Sequence, residues 1–237
     1  MGFLDFIISV VPIIIIELLA AIAGIYYIKN GPTDRVTRWF VVFLCITVLV
    51  ELVALYAVIA YYSDYKYFSF VECNVFADTK WIYNIYTIVN FAFLVYYFYT
   101  FLKGRLIRQV VKHAVISYIL SSVVYLLIFE DIFFRELSQF SNIAGTLLLL
   151  TVIVLFYFQL LKSDVTLNLK FFLPFYISIG VLIFNLLITP IDIFDDFYSG
   201  EDILFTKIKN IVYLFSNLFM YSSFILGFII CRRKKSY

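Results

Sequence analysis

The chain has 237 residues, a formal net charge of +2 and a mean hydropathy of +1.00, and 64% of its residues are hydrophobic. Charged residues make up only 14% of it and gather in short clusters between long apolar runs. Because those runs take up nearly the whole sequence, no stretch is left for a folded water-soluble domain. We therefore expect an integral membrane protein.

Seven apolar runs reach the ~20 residues that a helix needs to cross a bilayer. They are too long for the ~10-residue strands of a membrane barrel and lack the two-residue alternation of such strands. The sequence therefore predicts an all-α, polytopic protein with a single domain of seven transmembrane helices. The predicted helices cover residues 6–28, 40–62, 81–102, 111–129, 142–161, 171–193 and 208–231.

The charges of the connecting segments alternate in sign along this chain. One set of connections carries thirteen basic residues and two acids, and the other carries five basic residues and twelve acids. Basic residues concentrate on the cytoplasmic side of membrane proteins, so we expect the N-terminus outside and the C-terminus in the cytoplasm. The start of the chain has Asp5 where a signal peptide would have basic residues. This favours a first helix that is retained as a membrane anchor and not cleaved off. Heavy use of Ile, Phe, Tyr, Asn and Lys suits an AT-rich bacterial genome, and we expect the protein in a bacterial inner membrane.

Two acidic residues, Glu17 and Glu51, lie near the middle of the first two apolar runs. A carboxylate at the bilayer centre costs at least ~2.5 kcal/mol on insertion scales, so such residues are rare and usually face protein. Ala20, Ala21 and Gly24 follow Glu17 at helical spacing. This pattern of small residues predicts that Glu17 points into a close helix–helix interface.

The later helices carry neutral polar residues on one face, several of them at a similar depth. The third helix has Asn90 and Tyr97, the fourth has Ser121, and the seventh has Asn217 and Tyr221. Together with Glu17 and Glu51 they form our candidate site for a polar ligand or a proton. No basic residue lies in a predicted membrane core to neutralise the two acids. Since desolvation disfavours the charged form, we expect at least one of them to be protonated at neutral pH.

This cluster has two interpretations. In the first, it binds or passes a small polar solute or an ion, with Glu17 and Glu51 as the titrating core and the amides and tyrosines as neutral walls. In the second, two neutral glutamic acids hold helices together by hydrogen bonds and bind no ligand. Two acids are a costly means of joining helices, so we favour the functional interpretation.

Enzymatic activity is not expected, because no nucleophile–base pair, phosphate loop or Gly-x-Ser-x-Gly motif occurs. His113 is the only histidine and lies at the boundary of a predicted helix, so we expect no haem, zinc or other cofactor. The seventh helix has Lys209 only at its edge, where retinal proteins need a core lysine. The receptor motifs Asn-Pro-x-x-Tyr and Asp-Arg-Tyr are also absent at the corresponding helices, so seven crossings do not indicate a G-protein-coupled receptor.

Two alternative functions stay open beside solute binding or transport. The chain could be a membrane-embedded accessory, effector or regulatory subunit of a cytoplasmic complex, such as a bacterial defence system. It could also be a ligand-sensing seven-helix receptor that acts through a separate partner, since it has no output domain of its own. The partners we expect are the lipid bilayer and either a cytoplasmic protein or further copies of this chain. Nucleic acid is not expected.

Overall fold

A computed structural model describes residues 3–30, 33–72, 74–163, 169–195 and 203–233. Lys234, Lys235 and the acids of 196–202, which enter the charge comparison, lie outside the described residues. Within the described ranges the chain forms eight α-helices, three short 3-10 helices and no strand. The α-helices are α1 (Phe3–Lys29), α2 (Arg35–Tyr62), α3 (Lys80–Tyr99), α4 (Arg105–Ile128), α5 (Glu130–Arg135), α6 (Gln139–Leu161), α7 (Leu173–Asp195) and α8 (Ile203–Arg233), and the 3-10 helices are Ser69–Val71, Val75–Ala77 and residues 169–171.

Seven of the described helices are long and apolar enough to cross a membrane. The prediction of an all-α, multi-pass membrane protein is thereby confirmed. The remaining helix, α5, has six residues and was not predicted. Its residues include two acids and an arginine, so they form no apolar run that the sequence could reveal.

Several helices begin before the apolar run that predicted them. The helix predicted from residue 40 begins at Arg35, and the one predicted from residue 111 begins at Arg105. A charged residue ends an apolar run but not a helix, because the backbone hydrogen bonds continue to the cap. Before α2, the carboxylate of Asp34 accepts hydrogen bonds from the Thr37 backbone N–H at 3.0 Å and from its hydroxyl at 2.7 Å. This is N-capping geometry, and it sets the start of the helix.

The chain packs as two compact units. The first unit comprises Met1–Val48 and Phe156–Tyr237, and in it α8 packs along both α7 and α1. Helices α7 and α8 approach closely at Gly180, where an added Cβ would lie 3.0 Å from the Met220 carbonyl oxygen. Small residues permit such close approach between membrane helices.

The second unit comprises Leu49–Leu155. In it, the side chain of Asn84 in α3 is hydrogen-bonded to the backbone around α5 and the start of α6. The side chain is 1% exposed. Its amide nitrogen donates to the carbonyls of Ile132, Phe133 and Glu136 at 3.2, 3.0 and 2.9 Å. Its amide oxygen accepts from the Ser138 backbone N–H at 2.8 Å. One side chain thus satisfies the end of α5 and the turn that leads into α6.

Candidate functional site

Glu17 lies in the first unit, in the middle of α1, and is only 4% exposed. Ala20 and Ala21 are 0% and 5% exposed, and Gly24 is buried on the same face. An added Cβ at Gly24 would lie 2.9 Å from a methyl carbon of Val41 and 3.2 Å from the Phe228 ring. The helix face that carries Glu17 is therefore packed against protein and not lipid.

Contacts between α1 and α8 fix the level of Glu17 along its neighbour. The ring of Phe228 lies over Gly24 and sits 5.5 Å from the ring of Tyr27. The Gly24–Phe228 and Tyr26–Arg232 contacts show that the two helices run in the same direction. Two helical turns back from this contact, α1 reaches Glu17 and α8 reaches Tyr221. Asn217 follows one turn further along α8.

Helix α7 places a second amide side chain, that of Asn185, opposite Asn217. Along the antiparallel pair α7–α8, the Ser223 hydroxyl donates to the Tyr176 carbonyl at 2.8 Å. Further along, the Tyr213 hydroxyl donates to the Asp192 carboxylate. The midpoint of the two contacts falls beside Asn185 on α7 and beside Asn217 on α8. These residues are 6% and 9% exposed.

The side-chain amides of Asn185 and Asn217 are each hydrogen-bonded to a backbone carbonyl of their own helix. Asn185 donates to the Val181 carbonyl and Asn217 to the Tyr213 carbonyl, each at 2.8 Å. An asparagine that donates in this way still has a carbonyl oxygen to offer as an acceptor. Beside Asn217, the Ser216 side chain is 0% exposed, and its hydroxyl has no hydrogen-bond partner among the residues that the structure describes.

Glu51 lies in the second unit and is half-buried. The hydroxyl of Tyr83 in α3 donates to its carboxylate at 3.0 Å. Tyr83 belongs to the first turn of α3, whereas Asn90 lies seven residues further on, which is about 10 Å along the helix. The Glu51 carboxylate is therefore bonded to a side chain from the start of α3, about two helical turns before Asn90 in the chain.

The other predicted residues of the second unit have different surroundings. The rings of Phe91 and Tyr118 lie 6.4 Å apart and place Asn90 and Ser121 within about one helical turn of the same level. The Ser121 hydroxyl donates to the Tyr118 carbonyl of its own helix at 3.1 Å. Tyr97 is 0% exposed and packs its ring on Phe98 and Phe101.

The predicted site thus divides between the two units. The first unit holds Glu17, Asn217 and Tyr221, and the second holds Glu51, Asn90, Tyr97 and Ser121. That all seven act as one site stays a prediction. Sequence reasoning left Asn185, Ser216 and Asp192 out of the candidate site, although helical spacing from Ser178 to Asn185 to Asp192 on α7 gave a signal.

The oxygen-rich level of the first unit has the chemistry to bind a proton, a small cation or a neutral polar solute. In the described ranges, no group of three or more His, Cys, Asp or Glu side chains that could hold a metal ion is found.

No protein-family model, curated protein or solved structure matches the chain.

Proposed function

We propose that this chain is a non-enzymatic membrane protein that binds or passes a small polar solute or an ion, protons included. The observation that carries the proposal is the burial of Glu17, 4% exposed, at the level of Tyr221 and about one helical turn from the level of Asn185 and Asn217. This polar level of the first unit is the site we propose.

The energetics favour a functional site over simple helix adhesion. Asparagine and serine can join membrane helices by hydrogen bonds without carrying a charge. A carboxylate at this depth adds at least ~2.5 kcal/mol to the insertion cost. A buried hydroxyl without a partner costs a further ~1–3 kcal/mol, and Ser216 carries one among the described residues. The acid raises the cost of inserting its helix, the Ser216 hydroxyl destabilises the unliganded protein, and both groups are suited to a bound polar species.

Asp192 and Tyr213 supply an access path to the site. Tyr213, Asn217 and Tyr221 follow each other at four-residue spacing along one face of α8. The Tyr213 hydroxyl donates to Asp192 at one end of this row, and the level of Glu17 lies at the other. The row spans eight residues, or about 12 Å, and its hydrogen-bonding groups suit the passage of protons or small cations.

The orientation belongs to the same proposal. We place the N-terminus outside and the C-terminus in the cytoplasm of a bacterial inner membrane, because the basic residues gather on one set of connections. Arg232 lies 4.1 Å from the centre of the Tyr26 ring, and this pairing suits a helix end at a membrane surface. With this orientation, Asp192 lies toward the outer side. A reporter fused after Tyr237 tests the orientation, and a C-terminus found outside would overturn it.

Reconstitution into liposomes tests the function. A pH-sensitive dye inside the liposomes reports proton flux under an imposed pH gradient, and protein thermal stability reports the binding of added solutes and salts. Glu17→Gln keeps the shape and hydrogen-bonding capacity of the side chain but removes its titration. We expect it to abolish the flux or the stabilisation by the bound species.

Glu51→Gln is the matched control, since it makes the same chemical change at an acid whose carboxylate already accepts a hydrogen bond from Tyr83. It should keep the wild-type response. If Glu17→Gln behaves like the wild type, the site is a structural contact and the proposal is wrong. A wild-type protein that shows neither flux nor binding would instead favour an accessory subunit.

A further inference from the structure

The segment between α2 and α3 folds back on itself as soon as α2 ends. The backbone N–H of Tyr65 donates to the Ala60 carbonyl at 2.8 Å, and that of Ser63 donates to the Ile59 carbonyl at 3.0 Å. Asp64 and Tyr65 have φ of 47° and 58°, a left-handed conformation that residues other than glycine seldom adopt. The chain thereby reverses its direction at the last turn of α2.

The rest of this segment, residues 63–72 and 74–79, runs back alongside α2. The Tyr56 hydroxyl donates to the Phe76 carbonyl at 2.6 Å and to the Asp78 carbonyl at 3.2 Å, and the indole N–H of Trp81 donates to the same hydroxyl at 3.2 Å. Tyr56 lies six residues before the end of α2, or about 9 Å along the helix. Since α2 and α3 are both long and apolar enough to span a membrane, we infer that this return carries the segment toward the bilayer and not away from it.

Large aromatic side chains project outward from this segment. Tyr67 is 71% exposed and Phe70 is 74% exposed, whereas the neighbouring Val71 is 1% exposed and holds the segment against the protein. The exposed surface continues onto α2, where Ile59 and Tyr61 are 49% and 65% exposed. An exposed phenylalanine and tyrosine next to the lipid-facing side of a span match the aromatic belt of membrane interfaces.

We propose that the α2–α3 segment is seated in the membrane–water interface, with Tyr67 and Phe70 among the lipid headgroups and upper acyl chains. Continuity with the apolar surface of α2 favours lipid over a protein partner as its occupant. Lys66, which is exposed and directly precedes Tyr67, is placed to extend its ammonium group toward lipid phosphates. The segment therefore acts as an interfacial anchor that sets the depth of the second unit in the bilayer. This inference does not depend on the proposed function of the first unit.

Spin labels in lipid nanodiscs that hold a single copy of the protein test the proposal. Cys45, Cys73 and Cys231 are first replaced by alanine, and one nitroxide is attached through Phe70→Cys. Collisions with oxygen report lipid exposure, and collisions with a water-soluble nickel chelate report water exposure. The control label is attached through Asp131→Cys on α5, where the side chain is 93% exposed.

We expect the ratio of oxygen to nickel accessibility at residue 70 to exceed that at residue 131 several-fold. A label at residue 70 that the nickel chelate reaches as readily as the one at 131 would show that the segment faces water and would overturn the proposal. Tyr67→Cys provides the same measurement if Phe70→Cys does not fold. Each of the two variants that folds must report lipid for the proposal to stand.

Discussion

The hydroxyl of Tyr83 in α3 donates a hydrogen bond of 3.0 Å to the carboxylate of Glu51 in α2. The two acids at the centre of the first two apolar runs therefore have different surroundings. Glu51 is half-buried and held from the neighbouring span by a tyrosine, whereas Glu17 is almost fully buried on a face of small residues. This difference is the reason that we place the ligand site at Glu17 and use Glu51 as the control.

Tyr83→Phe removes this hydrogen bond without changing the packing of the ring. Interhelical hydrogen bonds in membranes contribute ~0.6 kcal/mol on average and ~1.7 kcal/mol at most. We expect the free energy of unfolding in bilayer-like discs to fall by about 0.5–1.5 kcal/mol. A double-mutant cycle with Glu51→Leu should give a coupling energy of similar size, and additive effects would show that the contact contributes nothing.

Asn84→Ala should be among the most destabilising single changes in the second unit. Four hydrogen bonds to backbone groups are lost, and at ~0.5–1.5 kcal/mol each we expect a loss of about 2–6 kcal/mol. Asn84→Asp is the matched variant, because it keeps the acceptor for Ser138 but places an oxygen against three carbonyls. Hydrogen exchange should leave the Ser138 amide protected in Asn84→Asp and exposed in Asn84→Ala. Equal exchange in both would contradict the assigned role.

Gly145 permits a close approach within the second unit that alanine would prevent. An added Cβ would lie 2.8 Å from the Tyr118 hydroxyl and would clash with the Phe91 ring. Overpacking of this kind costs about 1–3 kcal/mol, so Gly145→Ala should lower the unfolding free energy by that amount. Phe91→Leu in the same chain should restore part of the loss. Leu147→Ala, at a position 62% exposed, is the control that should change little.

The sequence predicted the seven spans because each requires only a run of apolar residues bounded by charges, and both features are local. The face of Glu17 was predictable for the same reason, since Ala20, Ala21 and Gly24 follow it at helical spacing. The role of Asn84 was not predictable. Its partners lie about fifty residues away on a helix too short and too polar to give a sequence signal.

The alignment of polar residues on neighbouring helices was the feature least predictable from the sequence. Counting residues from the ends of each apolar run placed Glu51 and Asn90 in one layer. The Tyr83–Glu51 hydrogen bond joins the Glu51 carboxylate to a residue that lies about two turns before Asn90 in α3. Relative helix heights depend on contacts such as this one, and the length of an apolar run does not encode them.

Ser216→Ala tests whether the site of the first unit binds a ligand or has only a structural role. Because the Ser216 hydroxyl has no partner among the described residues, its removal should leave the unliganded protein as stable as the wild type or raise its unfolding free energy by up to ~1–3 kcal/mol. If a bound species uses this hydroxyl, the same change should weaken binding and reduce the thermal stabilisation that the bound species gives. Thermal unfolding with and without the species identified in the liposome assay measures both effects. Asn217→Ala, which removes a side chain already bonded to the Tyr213 carbonyl, should by contrast lower stability and binding together. A Ser216→Ala protein that is destabilised when unliganded and binds normally would remove Ser216 from the site.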